Sequence, residues 1–346
     1  MRIAVVGAGA VGGYFGGRLA QGGAELVVIA RGAHLEAIRH AGLRLTSVAG
    51  DAVVHPAECA EDPAAVAPAD VVLLGVKAWQ VAGAAATLRP LLARDGCVLP
   101  LQNGVEAPGQ IDRAQGPGHA LGGLCRILSE VVAPGTIKHS GIEPYVAFGE
   151  LTGGPSARTR RLLTAFEAAP GVRAELVSDI RLAMWRKFLL ITAWGAVGAS
   201  NGATVGEILA VPDLRRRLFD AMGEIRAVGR AQGVSLTEDD IRDAVQVLEG
   251  APAQGTTSMQ RDLVAGRPSE LDAQIGTPRS WPRRTTAPIW ASSSDGRPAA
   301  RSRCMEVVPC AGAPSRTCTA SRISSSVSDT PWARYAPRRP IAGYAA

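Results

Sequence analysis

The sequence lacks any long uninterrupted apolar run, although apolar residues make up 47% of its 346 residues. A helix that crosses a bilayer needs about 20 consecutive, mostly apolar residues. The N-terminal apolar stretch contains six glycines between Gly7 and Gly17, which is typical of a folded segment and not of a signal peptide. We therefore predict no membrane association, and we expect a cytoplasmic protein.

Cysteine and histidine are few, and neither is spaced as metal ligands are. The six cysteines are scattered, three in the first 276 residues and three in the last 70, and the five histidines all precede residue 140. Structural zinc sites bring such residues together at short, regular spacings. We therefore predict no metal site, and the single cysteines indicate thiols in a reducing compartment and not a disulfide framework.

Acidic residues are scarce only in the last 70 residues, where the positive charge is concentrated. Residues 277–346 contain 11 arginines, two aspartates and one glutamate, while residues 1–276 carry 26 basic and 28 acidic side chains. Proteins that follow a nucleic-acid backbone present a continuous basic surface. The body of this chain has no such excess of charge, so we predict that it does not bind nucleic acid.

The last 70 residues also lack leucine, phenylalanine and lysine, yet they contain three tryptophans and three cysteines. Leucine is ordinarily among the commonest residues of a folded domain, and disordered segments are poor in aromatic residues. Residues 277–346 are therefore an anomalous tail. Two interpretations stay open. The tail is either GC-rich DNA translated in a shifted reading frame or a genuine disordered extension.

The first part of the chain alternates between short apolar runs and helical patterns. The apolar runs predict strands over residues 2–6, 25–29, 69–76 and 97–101, and the periodic segments predict helices over residues 11–21, 34–40 and 80–93. This alternation is typical of a Rossmann-type, doubly wound parallel sheet of the α/β class. Shorter strands with Pro-Gly turns over residues 121–148 predict an antiparallel extension.

After about residue 178 the pattern becomes helical. The periodicity predicts helices over residues 179–209, 213–232, 237–248 and 258–265, and Ser269 with Asp272 has the spacing that starts another helix. We therefore divide the chain into a nucleotide-binding domain (1–172), an all-helical domain (173–276) and the tail (277–346).

A glycine-rich motif follows the first predicted strand directly. It reads Gly7-Ala8-Gly9-Ala10-Val11-Gly12, which is the G-x-G-x-x-G pattern of dinucleotide-binding proteins. The first glycine permits a tight turn, the second lets the pyrophosphate approach the backbone, and the third lets the helix pack closely on the strand. The N-terminus of the following helix then offers free N–H groups to the phosphates.

The cofactor that this motif predicts is NADPH. NAD-binding proteins carry an acidic residue after the second strand, which binds the ribose 2′-hydroxyl, but here that position holds Arg31. A guanidinium can pair with a 2′-phosphate instead. Lys77, one of three lysines in the chain, follows another predicted strand at the same edge of the sheet. The alternative for each side chain is a solvated surface charge with no ligand, and it stays open for both.

Lys187 is the best candidate for a proton donor. At helical spacing it shares a face with Met184, Ile191 and Trp194, and apolar surroundings disfavour a charged ammonium group. The alternative is a lysine that extends along the helix rim to water. Asn103, in Gln102-Asn103-Gly104, either forms a turn or bridges the cofactor and a substrate.

Several blocks of sequence resemble the ketopantoate reductases (2-dehydropantoate 2-reductases) over about residues 1–276. In order, they are residues 2–12, Val76-Lys77-Ala78-Trp79-Gln80, Gln102-Asn103-Gly104-Val105, Trp185-Arg186-Lys187-Phe188, Ser258-Met259-Gln260-Arg261-Asp262 and Ser269-Glu270-Leu271-Asp272. The resemblance implies a fold like that of 6-phosphogluconate dehydrogenase, and NADPH-dependent reduction of 2-dehydropantoate to (R)-pantoate on the route to pantothenate and coenzyme A. It also suggests a homodimer.

The resemblance implies a role for each matching residue. Lys187 matches the general acid, and Glu270 matches the acid that orients the substrate and the lysine. Ser258 and Asn103 match substrate-binding residues, and the residue that Asn103 matches also contacts the cofactor. Arg31 and Lys77 match contacts to the 2′-phosphate end. Ser258 as a helix cap and Glu270 as a first-turn acid are the simpler alternatives.

One departure from the family pattern concerns the substrate. Better-known members carry asparagines four and eight residues after the lysine, where this chain has Ile191 and Gly195. Two alternatives to 2-dehydropantoate reduction therefore stay open. The first is reduction of another small branched 2-keto acid, and the second is a non-catalytic remnant that binds NADPH.

Overall fold

The structure is a computed structural model that describes residues 1–270. The predicted tail and Asp272 lie outside the described residues. Twelve strands occur in the described part: β1 (Arg2–Val6), β2 (Glu25–Ile29), β3 (Leu43–Ser47), β4 (Ala52–Val54), β5 (Glu58–Ala60), β6 (Ala69–Leu74), β7 (Leu92–Pro100), β8 (Leu121–Arg126), β9 (Ser129–Ala133), β10 (Thr136–His139), β11 (Tyr145–Glu150) and β12 (Arg173–Leu176). Ten α-helices accompany them: α1 (Ala10–Gln21), α2 (Gly32–Ala41), α3 (Val81–Ala86), α4 (Ala107–Gln115), α5 (Ala157–Glu167), α6 (Ile180–Asn201), α7 (Val205–Ala210), α8 (Pro212–Ala231), α9 (Glu238–Glu249) and α10 (Ser258–Val264).

The first sheet is parallel throughout and confirms the predicted doubly wound fold. Its strand order is β5-β2-β1-β6-β7. Ile3 and Val5 of β1 join a core on one face, while Ala4 and Val6 join a separate core on the other. Because helices cover both faces, the buried stretches of β1, β2 and β6 are apolar at consecutive positions and not only at alternate ones.

Two smaller sheets adjoin the first. One has the order β4-β3-β10-β9, and the other has the order β12-β11-β8. The pairs β8–β11 and β9–β10 are antiparallel, as the Pro-Gly turns predicted. β12 pairs with β11, so the predicted domain boundary at residue 173 falls at the start of a strand, and the helical part begins at Ile180.

The helical part is built around α6, whose side chains form one core with those of α8 and α9. The prediction of one helix over residues 179–209 was wrong. Gly202 ends α6 in the left-handed conformation with φ of 63°, and Thr204 then caps α7 in a reciprocal pair with Glu207. A left-handed glycine followed by a capping box separates two helices even where the apolar pattern continues.

The predicted helix over residues 80–93 was also wrong in length. α3 ends at Ala86, Pro90 lies in a one-turn 3-10 helix, and β7 begins at Leu92. Proline lacks the N–H that a continuing helix needs and disfavours helical geometry in the residue before it. None of the helices within residues 1–270 is long and apolar enough to cross a bilayer.

Candidate active site

A cavity of about 1010 Å³ lies at the carboxyl edge of the first sheet. Its walls come from the ends of successive strands and from the C-terminal part of the described chain. They include Gly7 to Val11, Ile29 to Arg31, Gly75 to Lys77, Leu101 to Asn103, Cys125, Ile127 to Ser129, Ser258, Arg261 and Glu270. Ligands of open α/β sheets bind at this edge, and the cavity collects most of the predicted site residues there.

The glycine loop has the geometry that a dinucleotide requires. Gly7 adopts φ of +85°, and a Cβ there would lie 2.8 Å from the backbone nitrogen of Val76. A Cβ on Gly12 would lie 3.2 Å from the Cα of Gly75, so the helix rests directly on the neighbouring strand end. A Cβ on Gly9 would project into open space, where a phosphate can approach the backbone at the start of α1.

The predicted adenosine end of the cavity carries charges of both signs. Arg31 is exposed and precedes α2, and its side chain forms no ion pair with any residue that the structure describes. No acidic residue follows β2 directly. However, Glu61, which follows β5, also lines this end. Sequence reasoning missed Glu61 because a contact between the ends of β2 and β5 requires the sheet order.

Two contacts link the segment after β6 to the C-terminal part across the cavity. Lys77 Nζ lies 3.2 Å from Asp262 Oδ2, and the backbone N–H of Ala78 donates to Glu270 Oε1 at 2.9 Å. Glu270 is 9% exposed, so its position differs from that of a solvated first-turn acid. These contacts hold the two parts of the chain on either side of the cavity.

Gln102 fixes the strand end beside Asn103. Its Nε2 donates to the carbonyl oxygens of Leu74 and Val76, at 2.7 and 2.9 Å. The amide thereby supports the backbone against which Gly7 packs. Asn103 lines the cavity next to it. Sequence reasoning gave Gln102 no role, although a glutamine at the end of a buried strand usually needs hydrogen-bond partners there.

Lys187 reaches the edge of the cavity from α6. Its Nζ donates to the carbonyl oxygen of Cys125 at 2.6 Å, and Cys125 is a wall residue, whereas Lys187 itself is not. Burial lowers the pKa of the Lys187 ammonium group below its ordinary value. Arg126 lowers this pKa further, while Cys125 and Glu270 act in the opposite direction. An amine in these surroundings releases its proton more readily than a solvated lysine does.

Of the three positions Ser258, Ile191 and Gly195, where the family pattern has substrate-binding residues, only Ser258 lines the cavity. Ser258 is an exposed cavity residue, and Thr257, not Ser258, caps α10 by accepting from the N–H of Gln260. A Cβ on Gly195 would lie 2.6 Å from Cε of Met259, and Ile191 packs on the helical core. The two positions that differ from the family asparagines therefore present no amide.

No group of three or more histidine, cysteine, aspartate or glutamate side chains within residues 1–270 is placed to hold a metal ion. A doubly wound sheet with a glycine-rich loop at its carboxyl edge, a helical second part and a lysine at the edge of the cavity are together typical of a dinucleotide-dependent oxidoreductase.

Comparison with known proteins identifies the family within this class. The profile of the family "Ketopantoate reductase PanE/ApbA" matches residues 3–153, and the profile of its C-terminal domain matches residues 179–289. The chain belongs to the ketopantoate reductase family, whose members are nicotinamide-dependent oxidoreductases acting on 2-keto acids.

Individual relatives agree with this assignment. A 2-dehydropantoate 2-reductase of Mesorhizobium japonicum is 32% identical, over 80% of this chain and 89% of its own. The crystal structure of a PanE/ApbA family ketopantoate reductase from Ralstonia eutropha is 34% identical, with a TM-score of 0.71, over 80% of this chain and 89% of its own. D-mandelate dehydrogenase in a complex with NADH and anilino(oxo)acetate shares the fold at 22% identity and a TM-score of 0.71, over 80% of this chain and 89% of its own.

Proposed function

We propose that the protein reduces 2-dehydropantoate to (R)-pantoate with NADPH, a step toward pantothenate and coenzyme A. The observation that carries the proposal is the position of Lys187 Nζ, held at 2.6 Å by the carbonyl of Cys125 at the wall of the cavity that the glycine loop also lines. A reductase needs such a proton donor near the carbonyl carbon that receives hydride. Several relatives named 2-dehydropantoate 2-reductase add support.

The proposed mechanism assigns a task to each group around the cavity. A bound nicotinamide dinucleotide supplies the hydride. Lys187 Nζ gives its proton to the oxygen of the keto group as negative charge develops there. Glu270, fixed by the N–H of Ala78, lies close enough to Lys187 to affect its pKa and orients the ammonium group. Asn103 and Ser258 bind the substrate, and Lys77, which lies 3.2 Å from Asp262 at the cavity wall, contacts the cofactor.

The choice of NADPH over NADH rests on Arg31. In Arg31→Ala we expect NADPH affinity to fall by about 10- to 100-fold, because a hydrogen bond to a charged group contributes about 1.5–3 kcal/mol. NADH affinity should change by less than about twofold, since NADH lacks the 2′-phosphate. Calorimetric titration of both cofactors measures the difference.

Arg39→Ala is the matched control, because Arg39 is an exposed arginine of α2, the helix that Arg31 precedes, and it pairs with Glu36. It should leave both affinities unchanged. An equal loss of NADPH and NADH affinity in Arg31→Ala would contradict the assignment of Arg31 to the 2′-phosphate.

A second substrate is favoured by one specific observation. Ile191 packs on the helical core and a Cβ on Gly195 would meet Met259, so neither position offers an amide that could bind a substrate hydroxyl group. A small branched 2-keto acid without a hydroxyl group suits such a site, because it leaves no polar group unpaired. The non-catalytic alternative has no comparable support from the site, since the amine and the glycine loop are both in place.

The substrate proposal is tested by comparing kcat/KM for three keto acids with NADPH. These are 2-dehydropantoate, 3,3-dimethyl-2-oxobutanoate, which lacks only its hydroxyl group, and an aryl 2-keto acid. We expect the highest value for 2-dehydropantoate. A higher value for the dimethyl compound would replace 2-dehydropantoate with an apolar branched acid and keep the reaction class.

A cytoplasmic location and a homodimer stay predictions.

A further inference from the structure

The carbonyl oxygens of the glycine loop are bonded to side chains outside the motif. Ala8 O lies 2.8 Å from Nε2 of His34, on α2. Ala10 O accepts from the hydroxyl of Ser129, on β9, at 3.1 Å. His34 and Ser129 also line the cavity. We call these two side chains the loop supports.

The partners of His34 determine its tautomer. The backbone N–H of Gly135 donates to His34 Nδ1 at 3.0 Å, and a backbone N–H cannot accept, so Nδ1 must be unprotonated. Ala8 O can only accept, so Nε2 must carry the hydrogen. The neutral imidazole therefore connects the glycine loop to the β9–β10 turn, where Gly135 has φ of 72°.

Both supports act on the direction of loop N–H groups. In a trans peptide the C=O and the following N–H lie in one plane and point in opposite directions. Holding Ala8 O and Ala10 O in place thus fixes the directions of the N–H groups of Gly9 and Val11. Donors that are already oriented bind an anion without the cost of ordering the loop at that moment.

We propose that His34 and Ser129 are positioning residues that orient the phosphate-binding loop. Because Ser129 lies on β9 and His34 is held by the β9–β10 turn, pyrophosphate affinity then depends on the sheet of order β4-β3-β10-β9. The inference rests on the proposed dinucleotide function and adds two residues that the G-x-G-x-x-G motif does not contain. Its rival is direct contact of these cavity residues with the adenosine end of the cofactor.

Three ligands separate the proposal from its rival: NADPH, 2′-phospho-ADP-ribose and adenosine 2′-monophosphate, which lacks the pyrophosphate. In full-length His34→Ala we expect affinity for the first two to fall by the same factor, about tenfold, from the loss of hydrogen bonds that order the loop. Affinity for adenosine 2′-monophosphate should change by less than about twofold, because it does not reach the loop. An equal loss for all three ligands, or no loss for any, would overturn the proposal.

Controls distinguish positioning from general damage. His40→Ala, an exposed residue of the same helix, should leave all three affinities unchanged. His34→Gln, which can still donate to Ala8 O, should recover part of the lost NADPH affinity. Ser129→Ala should also lose affinity for NADPH and 2′-phospho-ADP-ribose but not for adenosine 2′-monophosphate. If His34→Gln binds as weakly as His34→Ala and Ser129→Ala binds like the wild type, neither residue orients the loop.

The wild-type affinities are measured first, and they test the proposed cofactor separately. If the wild type prefers NADH, the choice of NADPH fails. The loop supports are then tested with NADH, ADP-ribose and adenosine. The variants should lose affinity for NADH and ADP-ribose but not for adenosine, which lacks the pyrophosphate.

Discussion

Replacing Lys187 with alanine is expected to lower kcat by about 10²- to 10⁴-fold, the range that a positioned general acid contributes. The affinity for NADPH should change by less than about twofold, because Lys187 contacts the carbonyl of Cys125 and not the glycine loop. Steady-state kinetics with a 2-keto acid and calorimetric titration of NADPH measure the two quantities on the same preparation.

The chain offers a direct control for this variant. Lys138 is an exposed residue of β10, and Lys138→Ala should leave both kcat and cofactor affinity unchanged. If Lys187→Ala keeps most of its turnover, or loses NADPH affinity as strongly as it loses turnover, Lys187 is not the proton donor.

Replacing Gly7 with alanine is expected to lower NADPH affinity by about 100-fold. The left-handed φ of +85° strains any other residue, and the new Cβ would lie 2.8 Å from the backbone nitrogen of Val76. Backbone strain of this kind costs about 1–3 kcal/mol, and relief by movement of the loop displaces the N–H groups that bind the pyrophosphate.

Gly23→Ala separates strain from cofactor binding. Gly23 has a similar φ of +93°, but a Cβ there would meet no described atom within 4 Å, and Gly23 is not a wall residue of the cavity. Both variants should melt at lower temperature, whereas NADPH affinity should fall only in Gly7→Ala. A cofactor affinity that is equal in the two variants would remove Gly7 from the binding site.

The elements of the first sheet could be predicted where a short apolar run ends at a glycine or a turn. β1 and β2 were predicted with the bounds observed, because both are buried on two faces and apolar throughout most of their length. The short strands β3 to β5 were missed, because a strand of three residues such as β4 is too short to show an alternating pattern of apolar and polar residues. The break between α6 and α7 was missed because the apolar pattern continues across Gly202.

The parts of the candidate site that could be predicted are those that belong to a motif within one segment of the chain. The glycine loop, Lys77, Asn103 and Glu270 all line the cavity, and Lys187 contacts its wall. The partners of these residues could not be predicted. Asp262 is 185 residues from Lys77 along the chain, and the contact of His34 with the glycine loop depends on how α2 packs beside it. Their roles in binding and catalysis stay predictions.

The proposed mechanism requires the amine of Lys187 to give up its proton as hydride reaches the keto carbon. The most direct test is the single-turnover rate of enzyme-bound NADPH with the preferred keto acid, measured by stopped flow as the pH is raised. The general acid must be protonated, and burial lowers the pKa of Lys187. As the pH rises, the rate should therefore fall with a single ionisation, whose pKa lies below the ordinary lysine value of about 10.4. Lys187→Ala should be slow and show no such ionisation. A wild-type rate that is flat to that pH, or the same ionisation in the variant, would show that Lys187 is not the proton donor.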